Sequence, residues 1–416
     1  MTQELFNKTE MELTSIIPNV ELKGNFLEKI RSVENEKPFS EYLINFVQNF
    51  SKRLLTHPSI RDYPELAVLG YRFRKSIVLK ERENFFKNCD THINRPVGLV
   101  FHVAPSNVDS VFLYSGLISF LLGNVNIIRI SQNITPQTKL VISILRELML
   151  CDDDLLNRMV ICTYPHESKL SEYLSLNCDL RMVWGSDSTI NKFKGIPTAP
   201  LGREVSFSNR FSFSVISTDS VLSATDGQIK ELANDFYNDS MWFGQQACSS
   251  PRAIFWVGCD DWRKASKRFW KEFKAILEIK EYAQTEGEAM DRFVASSLIV
   301  SQNKLALEEH HSVLPAVVKQ IGRDFGEIDR KHHCGNGLFY EYAISEFSEL
   351  KAKIHKEDQT ISFWGFSNKE INDLVVILPT GFVDRIVPIG KSLDFSHIWD
   401  GIDLYDVMIK KTLVIR

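Results

Sequence analysis

The sequence predicts an α/β fold in which mostly parallel strands are covered by helices on both faces. Two observations carry that expectation. Short apolar runs of strand length alternate with helical segments from about residue 97 to residue 184, the pattern of repeated βαβ units. The chain has 416 residues, more than one ordinary core holds, so two or three domains are expected.

Residues 1 to about 85 read as helical, because segments such as PFSEYLINFVQNFSKRLL place apolar residues at three- and four-residue steps. From Arg95 the period changes. Val97–Val103 is a nearly continuous apolar strand, Pro105, Ser106 and Asn107 form a turn with capping residues, and a helix runs to about Leu122. A second strand follows over Val125–Ile130. The unit then repeats: a helix from Thr135-Pro136 to about Leu150, a strand over Arg158–Cys162, a helix over Glu167–Leu176 and a strand over Leu180–Trp184. After Cys248 the strand RAIFWVG and the long charged helix WRKASKRFWKEFKAILEI open a second α/β region. The tail KKTLVIR is a β-prone segment whose edge must be covered, by an earlier segment or by another subunit.

The boundaries that follow are a helical region over 1–96, a cofactor-type domain over 97–215, a catalytic domain over 216–390 and a returning segment over 391–416. The β-prone stretch RKSIVLKERENFF makes 75–96 a candidate oligomerisation arm.

Charge excludes several classes. Lys and Arg total 49 against 53 Asp and Glu, a net charge of -4, which offers nothing to nucleic acid or an anionic membrane. The longest apolar run, VFLYSGLISFLL, is too short to span a bilayer. The start of the sequence lacks the apolar core of a signal peptide, and the seven cysteines are irregularly spaced. A cytoplasmic protein with reduced thiols is expected. His332-His333-Cys334 does not read as a metal site, because adjacent residues cannot all face one ion. CDDD at 151–154 reads as a solvated helix-to-strand loop, and His310-His311 as surface.

Three residues stand out as chemistry-bearing. Cys151, Cys162, Cys178 and Cys259 lie in or beside apolar runs and read as small buried hydrophobes. Cys248 differs: FGQQACSSPR surrounds it with Gln245, Gln246, Ala247, Ser249 and Ser250. A polar turn favours the thiolate, which is the nucleophilic form. Asn107 is either a helix N-cap or an amide donor to a developing oxyanion. It follows a strand of the parallel sheet, at the end where such sheets place ligands. His102 is either an acid/base or a satisfied core histidine.

Two of these segments carry a family resemblance. GLVFHVAPSNVDSVFLYSGLISFLLGNVNIIRIS resembles the aldehyde dehydrogenase segment in which a Pro-x-Asn turn precedes a helix and a strand ending in a basic residue. FGQQACSSPR is similar to that superfamily's nucleophile loop. The tail GFVDRIVPIGKSLDFSHIWDG extends the likeness to the acyl-CoA reductase branch, the LuxC-type fatty-acid reductase of bacterial bioluminescence. The resemblance spans roughly residues 95–416, while the first 90 residues match only as generic helices.

The resemblance implies an aldehyde-dehydrogenase-like fold: a Rossmann-type NADP-binding domain, an α/β catalytic domain and a small oligomerisation arm. It implies NADPH as cofactor, held by Ser106, Arg129, Ser131, Gly185 and Ser186, with Arg129 facing the 2′-phosphate. The absence of any Asp or Glu between Val125 and Ile144 permits that choice. Cys248 would form an acyl-enzyme, with Asn107 and the Cys248 N–H as oxyanion donors, and a homodimer or tetramer is expected. The partner would be an acyl-CoA or an acylated carrier or acyl-transferring protein. One departure matters. Aldehyde dehydrogenases carry a water-activating Glu where this chain reads FSNRFSFSVI over Phe207–Ile216, with Glu204 out of register. Without that base the acyl-enzyme should resist hydrolysis, which favours an acyl reductase over an aldehyde or semialdehyde oxidiser. A non-catalytic subunit of the same fold is a third reading, opposed by the presence of both Cys248 and Asn107.

Overall fold

The computed structural model describes residues 14–17, 26–87, 92–105, 109–150, 152–165, 168–258, 261–302, 305–307, 314–320 and 328–415. The chain divides into two compact units, residues 1–209 with 395–416, and residues 210–394.

The first unit is built on β1 (Thr14–Ile17), β2 (His92–Pro96), β3 (Leu99–Val103), β4 (Val125–Arg129), β5 (Met159–Thr163), β6 (Leu180–Trp184) and β7 (Arg203–Phe207). All but β2 form one sheet in the order β1-β5-β4-β3-β6-β7, parallel except for β1 against β5. The central strands explain why they read as continuous apolar runs: every residue of β3 and β6 is buried. Helices over Asp109–Leu121, Pro136–Met149 and Leu170–Asn177 complete the βαβ repeats, the second capped by the Thr135 hydroxyl.

Three local expectations are corrected. Thr14–Ile17 is a strand added antiparallel to the sheet edge rather than part of a helical region. RKSIVLKERENFF is a helix over Lys75–Phe86, since the good helix formers of KERENFF outweigh the β-branched pair Ile77-Val78. CDDD opens a short helix over Asp153–Arg158, whose first amides are capped by the Asp152 carboxylate.

The second unit carries β8 (Phe211–Ser217), β9 (Ala253–Val257), β10 (Leu305–Leu307), β11 (Ala316–Gln320), β12 (Leu338–Ile344), β13 (Asp358–Trp364) and β14 (Arg385–Pro388). Their order is β10-β11-β12-β9-β8-β13-β14, parallel except for β10. One face is covered by the helix over Trp262–Ile279, which buries Trp262, Ala265, Phe269, Trp270, Phe273, Ile276 and Leu277. Those steps of three and four put one apolar stripe on the sheet.

The chain then returns to the first unit through β15 (Ile398–Trp399), β16 (Ile402–Asp403) and β17 (Ile409–Leu413). β17 pairs antiparallel with β2 of the same chain, from Ile409 opposite Pro96 to Leu413 opposite His92. The tail is therefore covered by an earlier segment. Among the described residues no helix is long and apolar enough to cross a membrane.

Candidate active site

In the second unit the helix over Asp226–Ser240 ends at Met241 and the chain turns sharply toward β9. Phe243, Gly244 and Gln245 all take left-handed backbone angles, with φ of 57°, 57° and 64°. For the two non-glycine residues that conformation costs roughly 1–2 kcal/mol each. Hydrogen bonds offset it. The fully buried Gln245 donates through Nε2 to the carbonyls of Pro251 (2.9 Å) and Leu338 (3.0 Å), and its Oε1 accepts from Gly337 N–H at 3.0 Å. Asn336 N–H donates to the Gly244 carbonyl at 2.9 Å, and Gln246 Nε2 to the Cys334 carbonyl at 2.8 Å. The facing loop is left-handed too, with φ of 74°, 55° and 78° at Gly335, Asn336 and Gly337. Gln284 and Arg292 both donate to the Asn336 carbonyl, at 2.8 and 2.9 Å.

Cys248 sits in the turn so braced. It is half-buried, its carbonyl accepts from Ser212 Oγ at 2.7 Å, and its Sγ accepts from Gln359 Nε2 at 3.3 Å. Arg252 lies four residues on, its guanidinium over the Phe211 ring. Burial lowers the Arg252 pKa, and the foremost influence acting the other way is Cys248. Burial pushes the thiols of Cys162 and Cys178 up to about 12 and that of Cys334 up to about 11. Three thiols are thereby held protonated at neutral pH.

The first unit carries candidate residues of its own. Its strand order reverses at β3, with β4 and β5 on one side and β6 and β7 on the other. In an open parallel sheet the carboxyl ends at such a reversal form the ligand crevice. Gly185 and Ser186 lie there, after β6. Ser186 is exposed and caps the helix over Asp187–Lys194, accepting from Thr189 N–H. A helix N-terminus behind a residue without a side chain fits a pyrophosphate. Ser131, after β4, is half-buried and accepts from Asn133 N–H at 3.2 Å. Ser106 and Asn107 lie outside the described residues, as do Cys151, Cys259 and His310-His311.

Arg129 ends β4 as expected but is not a surface arginine: it is 6% exposed, with its guanidinium 5.1 Å from the centre of the Tyr164 ring. His102 is a buried residue of β3 whose Nδ1 and Nε2 lie 3.0 Å from Ser115 Oγ and Asn126 Oδ1. Burial lowers its pKa to about 4, against the Asn126 hydrogen bond. Both ring nitrogens are thus engaged inside the sheet, the arrangement of a core histidine. Glu204 is held by the buried Arg181, whose Nε lies 2.7 Å from Glu204 Oε2. Sequence reasoning missed Gln359 altogether, because it enters from a strand 111 residues beyond Cys248 and belongs to no motif. His332 pairs with Asp329 and His333 is buried against Tyr340, and no metal-binding cluster occurs among the described residues.

The model of one family, acyl-CoA reductase (LuxC), matches residues 25–289, well over half of the chain. No curated protein matches significantly. Solved structures resemble the chain in fold. An aldehyde dehydrogenase (AldH) of Staphylococcus aureus in a substrate-bound state aligns with a TM-score of 0.64 at 15% identity, over 99% of this chain and 93% of that one. Betaine aldehyde dehydrogenase from Staphylococcus aureus aligns at 0.67 and 10%, over 99% and 87%. Aldehyde dehydrogenase 21 from Physcomitrella patens, in complex with succinate, aligns at 0.61 and 14%, over 94% and 84%. The fold is therefore the aldehyde dehydrogenase fold that the resemblance implies.

Proposed function

This chain belongs to the acyl-CoA reductase (LuxC) family, and from that premise we propose that it reduces an acyl thioester to the aldehyde through a Cys248 acyl-enzyme, with NADPH as reductant. The acyl group is long-chain in this reading, delivered by coenzyme A, a carrier or an acyl-transferring partner. Residues 97–215 serve the cofactor and 216–390 the nucleophile. The observation that carries the reading is the braced Cys248 turn, whose half-buried sulfur receives an amide donor.

The Cys248 thiolate forms a bond to the acyl carbon, and the carbonyl electrons move to oxygen. The Cys248 N–H, with the Asn107 amide that the resemblance implies, stabilises that oxyanion, each donor worth about 3 kcal/mol. The bond to the donor's sulfur breaks and the donor leaves with a proton from solvent. A nicotinamide cofactor, which Ser106, Arg129, Ser131, Gly185 and Ser186 would hold, would supply the hydride that the resulting thioester carbon takes up. The thiohemiacetal then loses its carbon–sulfur bond, the electron pair returns to Sγ, and the aldehyde departs. His102 takes no part, because its nitrogens are engaged in the core.

Glu204 held by Arg181, with no carboxylate across Phe207–Ile216, speaks against the oxidative alternative. Long-chain acyl-CoA should drive NADPH oxidation with aldehyde as product. Aldehyde with NADP+ and no thiol acceptor should yield acid at least about 100-fold more slowly. Brisk acid formation would instead make the chain an aldehyde dehydrogenase.

The cofactor preference rests on Arg129 and on Ser106, Ser131, Gly185 and Ser186. Because Arg129 is buried, Arg129→Gln is a gentler probe than an acidic residue. It should raise KM for NADPH about tenfold and leave KM for NADH within twofold, measured by initial rates. Equal losses would remove the 2′-phosphate assignment. The homo-oligomer is supported by the β2–β17 ribbon, on which Ile93 and Leu413 are exposed, with exposed Ile415 just beyond it.

A further inference from the structure

We infer that Gln359 is a catalytic residue of this site, its side-chain amide holding the Cys248 sulfur in the thiolate form as nucleophile and again as leaving group. The inference rests on the reading of Cys248 as nucleophile and extends beyond the segment matched to the family, residues 25–289.

Gln359 lies near the start of β13 and is 4% exposed. Its amide oxygen has a donor of its own: Thr360 Oγ1 donates to Gln359 Oε1 at 3.2 Å. A hydroxyl donating to Oε1 leaves Nε2 toward the sulfur, where the distance is 3.3 Å. The backbone is held as well, since Asp384 N–H donates to the Gln359 carbonyl at 2.8 Å. A neutral thiol is a weak acceptor and a thiolate a strong one, so an N–H aimed at Sγ favours ionisation.

The same contact acts twice in the cycle. In the first step Sγ gives an electron pair to the acyl carbon and the donor thiol departs. In the last step the carbon–Sγ bond breaks and its pair returns to sulfur, which again carries the charge. A fixed donor at Sγ stabilises the state before acylation and the state after aldehyde release. It requires no proton transfer by Gln359 itself. Among the described residues Arg252 is also coupled to the thiol, and through Arg252 so are His333, Cys334 and Tyr340 of the facing loop and β12. The Arg330–Asp358 ion pair lies at the foot of β13.

The test is the pH profile of Cys248 alkylation by iodoacetamide in the full chain without cofactor or substrate. Gln359→Leu should react about tenfold more slowly at neutral pH and reach the wild-type rate at high pH, where the thiol is fully ionised. Gln359→Glu, which keeps the shape and still accepts from Thr360, should move the profile further in the same direction. A profile unmoved in either folded variant would overturn the inference. A reading without substitution at 359 is the side-chain amide resonance of Gln359 in the wild-type chain. It should shift as Cys248 ionises and lose that dependence in Cys248→Ser; a resonance indifferent to both would also overturn it. These measurements report ionisation alone. Failure of the nucleophile reading shows separately, as a wild-type chain that gains no acyl group from acyl-CoA.

Discussion

Cys248→Ala protein mixed with acyl-CoA should show no mass increase in intact-protein mass spectrometry, while the wild-type chain gains one acyl group. Thioester-dependent NADPH oxidation should fall by at least about 10⁴-fold, because removing a nucleophile removes the covalent route and not merely a binding contact. Cys162 and Cys178 are buried, and their thiols are pushed to about 12 by desolvation. Cys334 is half-buried but also raised, to about 11. At neutral pH such groups are thiolate to far less than one part in a thousand. An adduct that survives Cys248→Ala would have to form on one of them or on a cysteine outside the described residues, and would transfer the chemistry there. Substrate binding should change little in the variant, so KM for acyl-CoA is expected to stay within a few-fold while turnover collapses.

The strands of the first unit were legible because β3, β4, β5 and β6 are buried at nearly every position and mostly apolar, as strands covered on both faces must be. β1 was not, since a four-residue edge strand has too little pattern to separate from an amphipathic helix. Over Lys75–Phe86 the helical expectation for residues 1–85 holds, and the β-prone reading of RKSIVLKERENFF gives way because the helix formers outweigh Ile77-Val78. Cys248 was visible as a thiol among polar neighbours, but what braces it was not. Gln245 reaches Gly337 and Leu338, and Gln359 reaches Cys248, across about 90 and 111 residues. No local spacing encodes such contacts. Arg129 shows the converse. Its place at a strand end was readable, whereas its burial against Tyr164 depends on a strand that follows 30 residues later.

Glu341→Leu should destabilise the second unit more than any single change at the Cys248 turn. Glu341 is a fully buried carboxylate in β12, and four donors converge on it. Trp256 Nε1 and Trp270 Nε1 each lie 2.7 Å from Oε1, while Ser266 Oγ and Lys319 Nζ lie 3.0 Å from Oε2. The network ties β9, β11 and β12 to the helix over Trp262–Ile279. Removing the carboxylate takes the counter-charge from the buried Lys319 ammonium, which keeps Ser266 Oγ at 2.8 Å, and leaves the Trp256 and Trp270 N–H groups without that acceptor. Breaking such a pair from one side costs about 3–5 kcal/mol. For a unit of this size that lowers Tm by roughly 10 °C, readable by calorimetry or circular dichroism. Lys319→Met in the same chain should restore part of the loss, because the penalty belongs to the uncompensated charge rather than to the missing pair. If Glu341→Leu alone melts like wild type, the carboxylate does not hold the helix to the sheet. If the double variant melts no higher than Glu341→Leu, the cost lies with the unpaired tryptophans. Because the Cys248 turn leans on Leu338 at the start of the same strand, acylation should weaken at temperatures where the variant begins to melt and stay normal below them.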